Sequence, residues 1–242
     1  MKITDKIKAK QHDIYSRRPT TIAFLGDSVT QGCFEIYTKT DGTIDTIYKS
    51  EEAYHAKVRE MLQYLYPSVP FTIINAGISG DTAPGALGRV KEDVLSYNPD
   101  LTVVCLGLND SGKGVDKVNE YIDALDEIFT KIKESGSEII FMTPNMKGQY
   151  AHHLIEDKTI YELAEKMANE EESKCMDFYV DKARELSKKH EIPVCDCYAL
   201  WKIMHEKGVD ITGILSNFIN HPTPQMHSLF AYELVKTIIT AE

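Results

Sequence analysis

Thr21-Ile22-Ala23-Phe24-Leu25-Gly26-Asp27-Ser28-Val29-Thr30-Gln31-Gly32 changes character halfway along. Its first half is a short apolar run of the kind that makes a buried strand. Its second half is a polar turn bracketed by glycines. A serine therefore sits where a strand stops and the chain bends, with little side-chain bulk beside it. Nucleophilic chemistry asks for that placement, because the hydroxyl must be held rigidly and still be reached. The same residues also read as a plain strand-to-helix turn with Asp27 or Ser28 as the N-cap. Gly-Asp-Ser alone does not decide between the two.

The pattern recurs twice. Apolar residues 71–75 run into Ala76-Gly77-Ile78-Ser79-Gly80-Asp81-Thr82, and the nearly all-apolar 101–106 run into Gly107-Leu108-Asn109-Asp110-Ser111-Gly112. Helical spacing fills 51–66, 84–97 and 115–134. A fourth strand at 138–142 is stopped by Thr143-Pro144-Asn145. An irregular connector over 145–157 carries His152 and His153, which reads as a solvated loop. Residues 159–190 read as one long helix, or as two with a break near Ser173. A short fifth strand at 193–196, a helix at 198–206, an irregular stretch at 209–222 and a closing helix at 223–240 complete the chain. Residues 1–18 have helical spacing and read as an N-terminal extension or surface helix, closed by Pro19. Residues 33–50 lose the pattern and read as a loop or exposed hairpin. They follow directly on the candidate serine, where loops tend to shape binding sites.

Strand and helix alternate throughout, with no repeat and no Pro/Gly/Ser linker. Strands apolar on both faces imply a parallel sheet covered by helices on each side. The prediction is one doubly wound α/β domain over 1–242 with a five-stranded parallel sheet. In such a sheet the three glycine-bearing turns share one edge, and ligands bind there, near the switch point of the strand order.

Composition excludes several functions. The 242 residues carry a net charge of −10 and no Lys/Arg-rich block, which argues against nucleic acid as a partner. No apolar run approaches the roughly 20 residues of a membrane helix. The charged N-terminus has no signal-peptide core, so a cytoplasmic setting is expected. Cys33, Cys105, Cys175, Cys195 and Cys197 are odd in number and lack a framework, which favours free thiols. Cys195 and Cys197 flank Asp196 without the second pair that a zinc site needs. Neither Gly-x-Gly-x-x-Gly after the first strand nor Gly-Lys-Ser/Thr is present, which disfavours a nucleotide cradle.

An ester hydrolase needs an activated nucleophile, a base and donors for the developing oxyanion. Ser28 offers a hydroxyl and its own turn N–H, Gly80 a bare N–H, and Asn109 an amide NH₂. The base must come from elsewhere. His221 sits in Phe218-Ile219-Asn220-His221-Pro222, where Pro222 biases it toward extended backbone. An imidazole titrating near neutrality suits general-base work. His227, on the closing helix, competes but is expected to pack or line the pocket.

These four blocks, Gly26-Asp27-Ser28, Gly80 in its turn, Gly107-Leu108-Asn109-Asp110 and His221-Pro222, together resemble the GDSL/SGNH hydrolases, in order and over about residues 20–235. The resemblance implies a flavodoxin-like three-layer α/β/α fold and ester hydrolysis without a metal or organic cofactor. It also implies Ser28 as nucleophile, Gly80 and Asn109 as oxyanion donors, His221 as base and Asp27 as a turn brace. Asp81 and Asp110 read as turn braces too.

One departure matters. The family usually places an aspartate three residues before the histidine, and here that residue is Phe218. Asn217 and Asn220 flank it. A Ser–His dyad oriented by a backbone carbonyl or an Asn is the favoured reading. Asp210, on the preceding loop, is the alternative carboxylate, and a weakened or inactive protein is the third option. The expected activity is removal of a small acyl group, acetyl by preference, from a carbohydrate or other small polar ester. The alternatives are an arylesterase or thioesterase, or a catalytically weakened carbohydrate-binding module. The oligomeric state is left open by the sequence.

Overall fold

The computed structural model describes residues 2–172 and 175–241. In chain order these form α1 (Lys2–His12), β1 (Thr20–Gly26), α2 (Ser28–Gln31), β2 (Cys33–Thr38), β3 (Ile44–Tyr48), α3 (Tyr54–Leu65), β4 (Phe71–Gly77) and α4 (Ala83–Asp93). There follow β5 (Leu101–Cys105), α5 (Val118–Glu134), β6 (Glu138–Met142), α6 (Lys158–Glu172), α7 (Cys175–Lys189), β7 (Val194–Cys195), α8 (Cys197–Glu206) and α9 (Pro224–Thr240). Within the long helical stretch the described residues form α6 and α7, and the break considered near Ser173 lies outside the described residues.

The main sheet has the order β4-β1-β5-β6-β7, with every neighbouring pair parallel. This is the doubly wound parallel sheet expected from the alternation, in the three-layer, flavodoxin-like form that the family resemblance implies. Burial on both faces explains the apolar run from Ile22 to Leu25 in β1: all seven residues of the strand are buried, Thr20 and Thr21 included. Ile22 and Phe24 pack with residues of α3, α8 and α9. Ala23 and Leu25 pack on the other face with residues of α4, α5 and α7. The chain leaves β1 toward β4 on one side and returns to β5 on the other, which puts the switch point between β1 and β5. The register aligns Gly26 with Gly77 and Cys105, so the strands that carry the three turns end level with one another.

Two segments depart from the sequence reading, α1 and the connector after β6, and a third, 33–50, takes the hairpin form of its two readings. α1 is docked: Ile3 and Ile7 are fully buried, and Lys6 and Arg18 both pair with the buried Asp100. Residues 33–50 form an antiparallel hairpin of β2 and β3, whose register shifts between Cys33 and Glu35. Phe34 is the residue left out of the ladder. The connector after β6 is irregular, but residues 141–148 are all buried, as is His152. Its polar letters suggested solvent because its backbone and side chains make their hydrogen bonds inside the fold. Among the described residues no helix is long and apolar enough to cross a membrane.

Candidate active site

The site is built where β1, β4 and β5 end. Asp27 stops β1 and caps α2, its carboxylate accepting the Val29 N–H at 3.0 Å. That cap turns the chain and places Ser28 at the first position of α2. First-turn amides have no acceptor inside their helix, so the Ser28 N–H is available to a ligand. Gly77 lets α2 come down onto the end of β4: a Cβ there would lie 2.2 Å from the Gln31 nitrogen. Gln31 then accepts the Ser79 N–H at 2.7 Å and fixes the second turn to the first.

Gly80 has φ +77°, a left-handed conformation that disfavours side chains, although a Cβ would meet nothing within 4 Å. The backbone, not crowding, therefore asks for glycine here. The result is an exposed amide with no side chain over it. Asn109 is held by its Nδ2 donating to the Asp81 carbonyl at 2.8 Å, which leaves a second N–H on the same nitrogen. The sequence-predicted donors thus belong to one connected set of turns.

Two acidic side chains brace these turns. Asp110 accepts the Ala83 N–H at 3.0 Å, at the start of α4. Burial pushes the Asp110 carboxyl up to about 6, against the pull of that N–H. Burial likewise pushes Asp27 up to about 7, opposed by the Val29 N–H and reinforced by the nearby charges of Asp110 and Asp81. Asp81 accepts the Thr82 N–H at 2.9 Å and pairs with Arg89. All three behave as the structural carboxylates that the sequence suggested.

His221 arrives from the far end of the chain. Its Nε2 lies 3.0 Å from Ser28 Oγ, and both side chains are buried. Its Nδ1 lies 3.2 Å from the Phe34 carbonyl oxygen. A carbonyl only accepts, so Nδ1 carries the proton and the Nε2 lone pair faces the serine. The carbonyl is available because Phe34 is the bulged residue of the hairpin, and bulges turn backbone groups out of the ladder. Burial lowers the His221 imidazole to about 4, offset only in part by the Phe34 contact.

The carboxylate and amide candidates fall elsewhere. Asp210 is exposed and accepts the Tyr150 hydroxyl at 2.8 Å, so it serves Tyr150 and not the imidazole ring. Asn217 acts on the backbone of the histidine loop: its Oδ1 accepts the N–H groups of Ile219, Asn220 and His221 at 3.0, 2.9 and 3.0 Å. Its Nδ2 donates to Asn220 Oδ1 at 2.9 Å. The buried Asn145 donates to the Asn220 carbonyl at 2.9 Å and ties the loop to the end of β6. Phe218 has φ +56°, rare for a residue with a side chain, and its ring stacks on His152 at 4.1 Å. It packs where the sequence reading looked for a carboxylate. His152 in turn stacks on His153, which is exposed, so the solvated reading holds for His153 and not for the buried His152.

Asn217→Ala is expected to strip the acceptor from three buried amides. Each orphaned donor costs about 1–3 kcal/mol, less where water enters, so a stability loss of roughly 2 kcal/mol or more should appear in urea unfolding. Asn217→Asp keeps an acceptor at that position and should remain far closer to the parent.

His227 has a different task. Its Nδ1 accepts the Tyr54 N–H at 3.0 Å at the start of α3, and burial lowers its imidazole to about 3. Two residues of the site had no signal in the sequence that singled them out, Phe34 and Arg89. The first acts through its backbone. The second is one polar residue in an ordinary amphipathic helix.

Over residues 24–229 the chain matches the GDSL-like Lipase/Acylhydrolase family. An acetylxylan esterase of Geobacillus stearothermophilus is 30% identical over 132 residues, covering 51% of this chain and 58% of that protein. An arylesterase of Vibrio mimicus is 27% identical over 110 residues, covering 46% of this chain and 54% of the relative. The matches thus span little more than half the length of these two relatives. A crystal structure of an acetylxylan esterase from Geobacillus stearothermophilus superposes with a TM-score of 0.65 at 22% identity, covering 90% of this chain and 94% of the other. That likeness bears on the fold, whereas the family match bears on descent and spans most of the chain: the protein belongs to the GDSL-like lipase/acylhydrolase family.

Proposed function

We propose that the protein is a serine ester hydrolase that removes a small acyl group, acetyl by preference, from a carbohydrate or other polar ester. The observation that carries this reading is the 3.0 Å approach of His221 Nε2 to Ser28 Oγ, at the edge where three donor-bearing turns meet. In the proposed mechanism Ser28 Oγ attacks the ester carbonyl as Nε2 takes its proton. The Ser28 and Gly80 amides and the Asn109 amide receive the oxyanion. The imidazolium then protonates the departing alcohol, leaving an acyl-serine. Water, deprotonated by the same Nε2, attacks that acyl group, and as the bond from the acyl carbon to Oγ breaks the imidazolium returns the proton to Oγ, releasing the acid and restoring Ser28 and neutral His221.

The Phe34 carbonyl takes the orienting role that a carboxylate has in a full triad. It fixes the tautomer but supplies only a dipole to the imidazolium, so the proposed machinery is a dyad. Asp210 lies outside it. Asp210→Asn is therefore expected to leave kcat/KM within a few-fold of the parent. A loss approaching the roughly 10⁴-fold typical of a triad aspartate would reassign the orienting role.

The names of the two relatives support acetylated xylan-type sugars first and aryl esters second. A panel of p-nitrophenyl acyl esters of increasing chain length, together with acetylated xylooligosaccharides, tests the substrate reading. Turnover greatest for acetyl, with acetate released from the sugar, supports it. Turnover of aryl esters alone favours the arylesterase reading. The five cysteines are all free and buried, which fits a reducing, cytoplasmic setting.

A further inference from the structure

The serine turn and the oxyanion turn belong to different strands, yet catalysis needs their amides fixed relative to each other to a fraction of an ångström. One side chain reaches both. Arg89, on α4, donates Nη2 to the Gly26 carbonyl at 3.0 Å, just before Asp27 and Ser28. Its Nη1 donates to the Ala76 carbonyl at 2.8 Å, where β4 ends. Its Nε donates to Asp81 Oδ2 at 2.8 Å, and Nη2 lies 2.6 Å from the same oxygen, directly after Gly80. A further contact from Nη1 runs to Asp93 at 3.0 Å, within α4. The side chain is only 15% exposed.

The third turn joins through Asp81, whose carbonyl holds Asn109 Nδ2. The Gly26 carbonyl also receives the Ile78 N–H at 3.1 Å, so the same oxygen is shared by the guanidinium and the second turn. We infer that Arg89 is a positioning residue that sets the distance between Ser28 and the Gly80 and Asn109 donors. This inference rests on the proposed hydrolase reading and gives its oxyanion donors a common anchor.

A planar guanidinium is suited to this task because its five N–H groups point in fixed directions. A lysine keeps the charge and much of the stem, but it cannot satisfy a carboxylate and two carbonyls in one plane. Arg89→Lys should therefore preserve the fold and the Asp81 ion pair while loosening the turns. The expected result is a kcat for p-nitrophenyl acetate lowered by about 10- to 100-fold, with KM within about twofold, the signature of an interaction made in the transition state.

A boronic acid that adds to Ser28 mimics the tetrahedral state and places an oxygen among the same donors. Its affinity should fall in parallel with kcat/KM. Arg89→Gln, which keeps two N–H groups and no charge, should give a loss at least as large. Asp93→Asn, which touches Arg89 away from the turns, should keep the parent kcat.

A folded Arg89→Lys protein with parental kcat and parental boronate affinity would overturn the inference and leave the hydrolase reading standing. So would a lowered melting temperature with unchanged kinetics, which marks a purely structural ion pair. Should Arg89→Lys unfold, the Gln variant is read by the same criteria. A parent protein without Ser28-dependent hydrolysis would overturn the hydrolase reading, and the inference with it.

Discussion

Ser28→Ala should lower kcat/KM for an acetyl ester by about 10⁴-fold or more, with the fold intact. The size of the effect follows from what the hydroxyl does. Without Oγ no acyl-enzyme forms, and hydrolysis falls back on water held near the oxyanion donors, which retains about 10³- to 10⁴-fold over the uncatalysed reaction. The fold should survive because, among the described residues, Oγ has His221 as its side-chain partner and the turn is held by Asp27, Gln31 and Gly77. Rates with p-nitrophenyl acetate, circular dichroism and labelling by a serine-directed fluorophosphonate check this together. Label should enter the parent at Ser28 and be lost in the variant. Equal turnover by both proteins would remove Ser28 from the mechanism.

His221→Ala is expected to cost nearly as much, and the Ser28→Ala/His221→Ala double variant little more than either alone. Groups that act as one unit lose their joint contribution when either is removed. The parent enzyme adds a second signature. The base works only when neutral. Burial holds the His221 imidazole at about 4, so the loss of kcat/KM that protonation of the base causes should come only as pH passes below about 4, beneath any smaller change made by protonating Asp27 at about 7 or Asp110 at about 6 in the turns. An orienting carboxylate would stabilise the imidazolium and raise that limb, whereas the Phe34 carbonyl offsets burial only in part. A pH–rate profile on the acid side, with protein integrity checked at each pH, decides the matter. An acid limb near 6.5 that persists in Asp110→Asn would mean either protonation of Asp27, which burial raises to about 7, or charge reaching the ring from a group other than Phe34.

The features legible in the sequence were those written locally. β1 and β5 announced themselves as apolar runs leading into glycine, because a strand buried on both faces has little room for another pattern, and β4, a partly exposed edge strand, showed a shorter run of the same kind. Their parallel order followed from alternation with helices, and that order alone brought three turns to one edge. His221 needed more, since nothing local joins it to Ser28. Its family motif pointed to it, and the meeting of the two side chains is a property of the whole sheet.

What escaped had physical reasons. A carbonyl is present at every residue, so no letter marks Phe34 as special. Its role depends on a one-residue shift of register in a hairpin that the sequence left as loop or hairpin. Arg89 resembles any polar residue on an amphipathic helix until its four partners are seen together. Asp210 was a visible carboxylate, but reach is a matter of distance, and the fold spends it on Tyr150. His152 looked solvated because a ring stacked on Phe218 uses polar letters for an apolar contact.

The bulge at Phe34 has an evolutionary consequence. An orienting aspartate can be erased by one nucleotide change, because its function resides in a codon. Here the proposed function resides in the spacing of the main chain, so a change at position 34 acts on it only through the buried packing of the Phe34 ring against His227 and the shape of the hairpin. Point substitution is thus a weak route to disabling the orienting group. Inserting or deleting a residue between Cys33 and Glu35 is a strong one, since it realigns the ladder and carries the oxygen away from the imidazole. Lineages that share this arrangement should tolerate drift in the exposed letters of the hairpin, beyond the buried Cys33 and Phe34, while purging changes in its length.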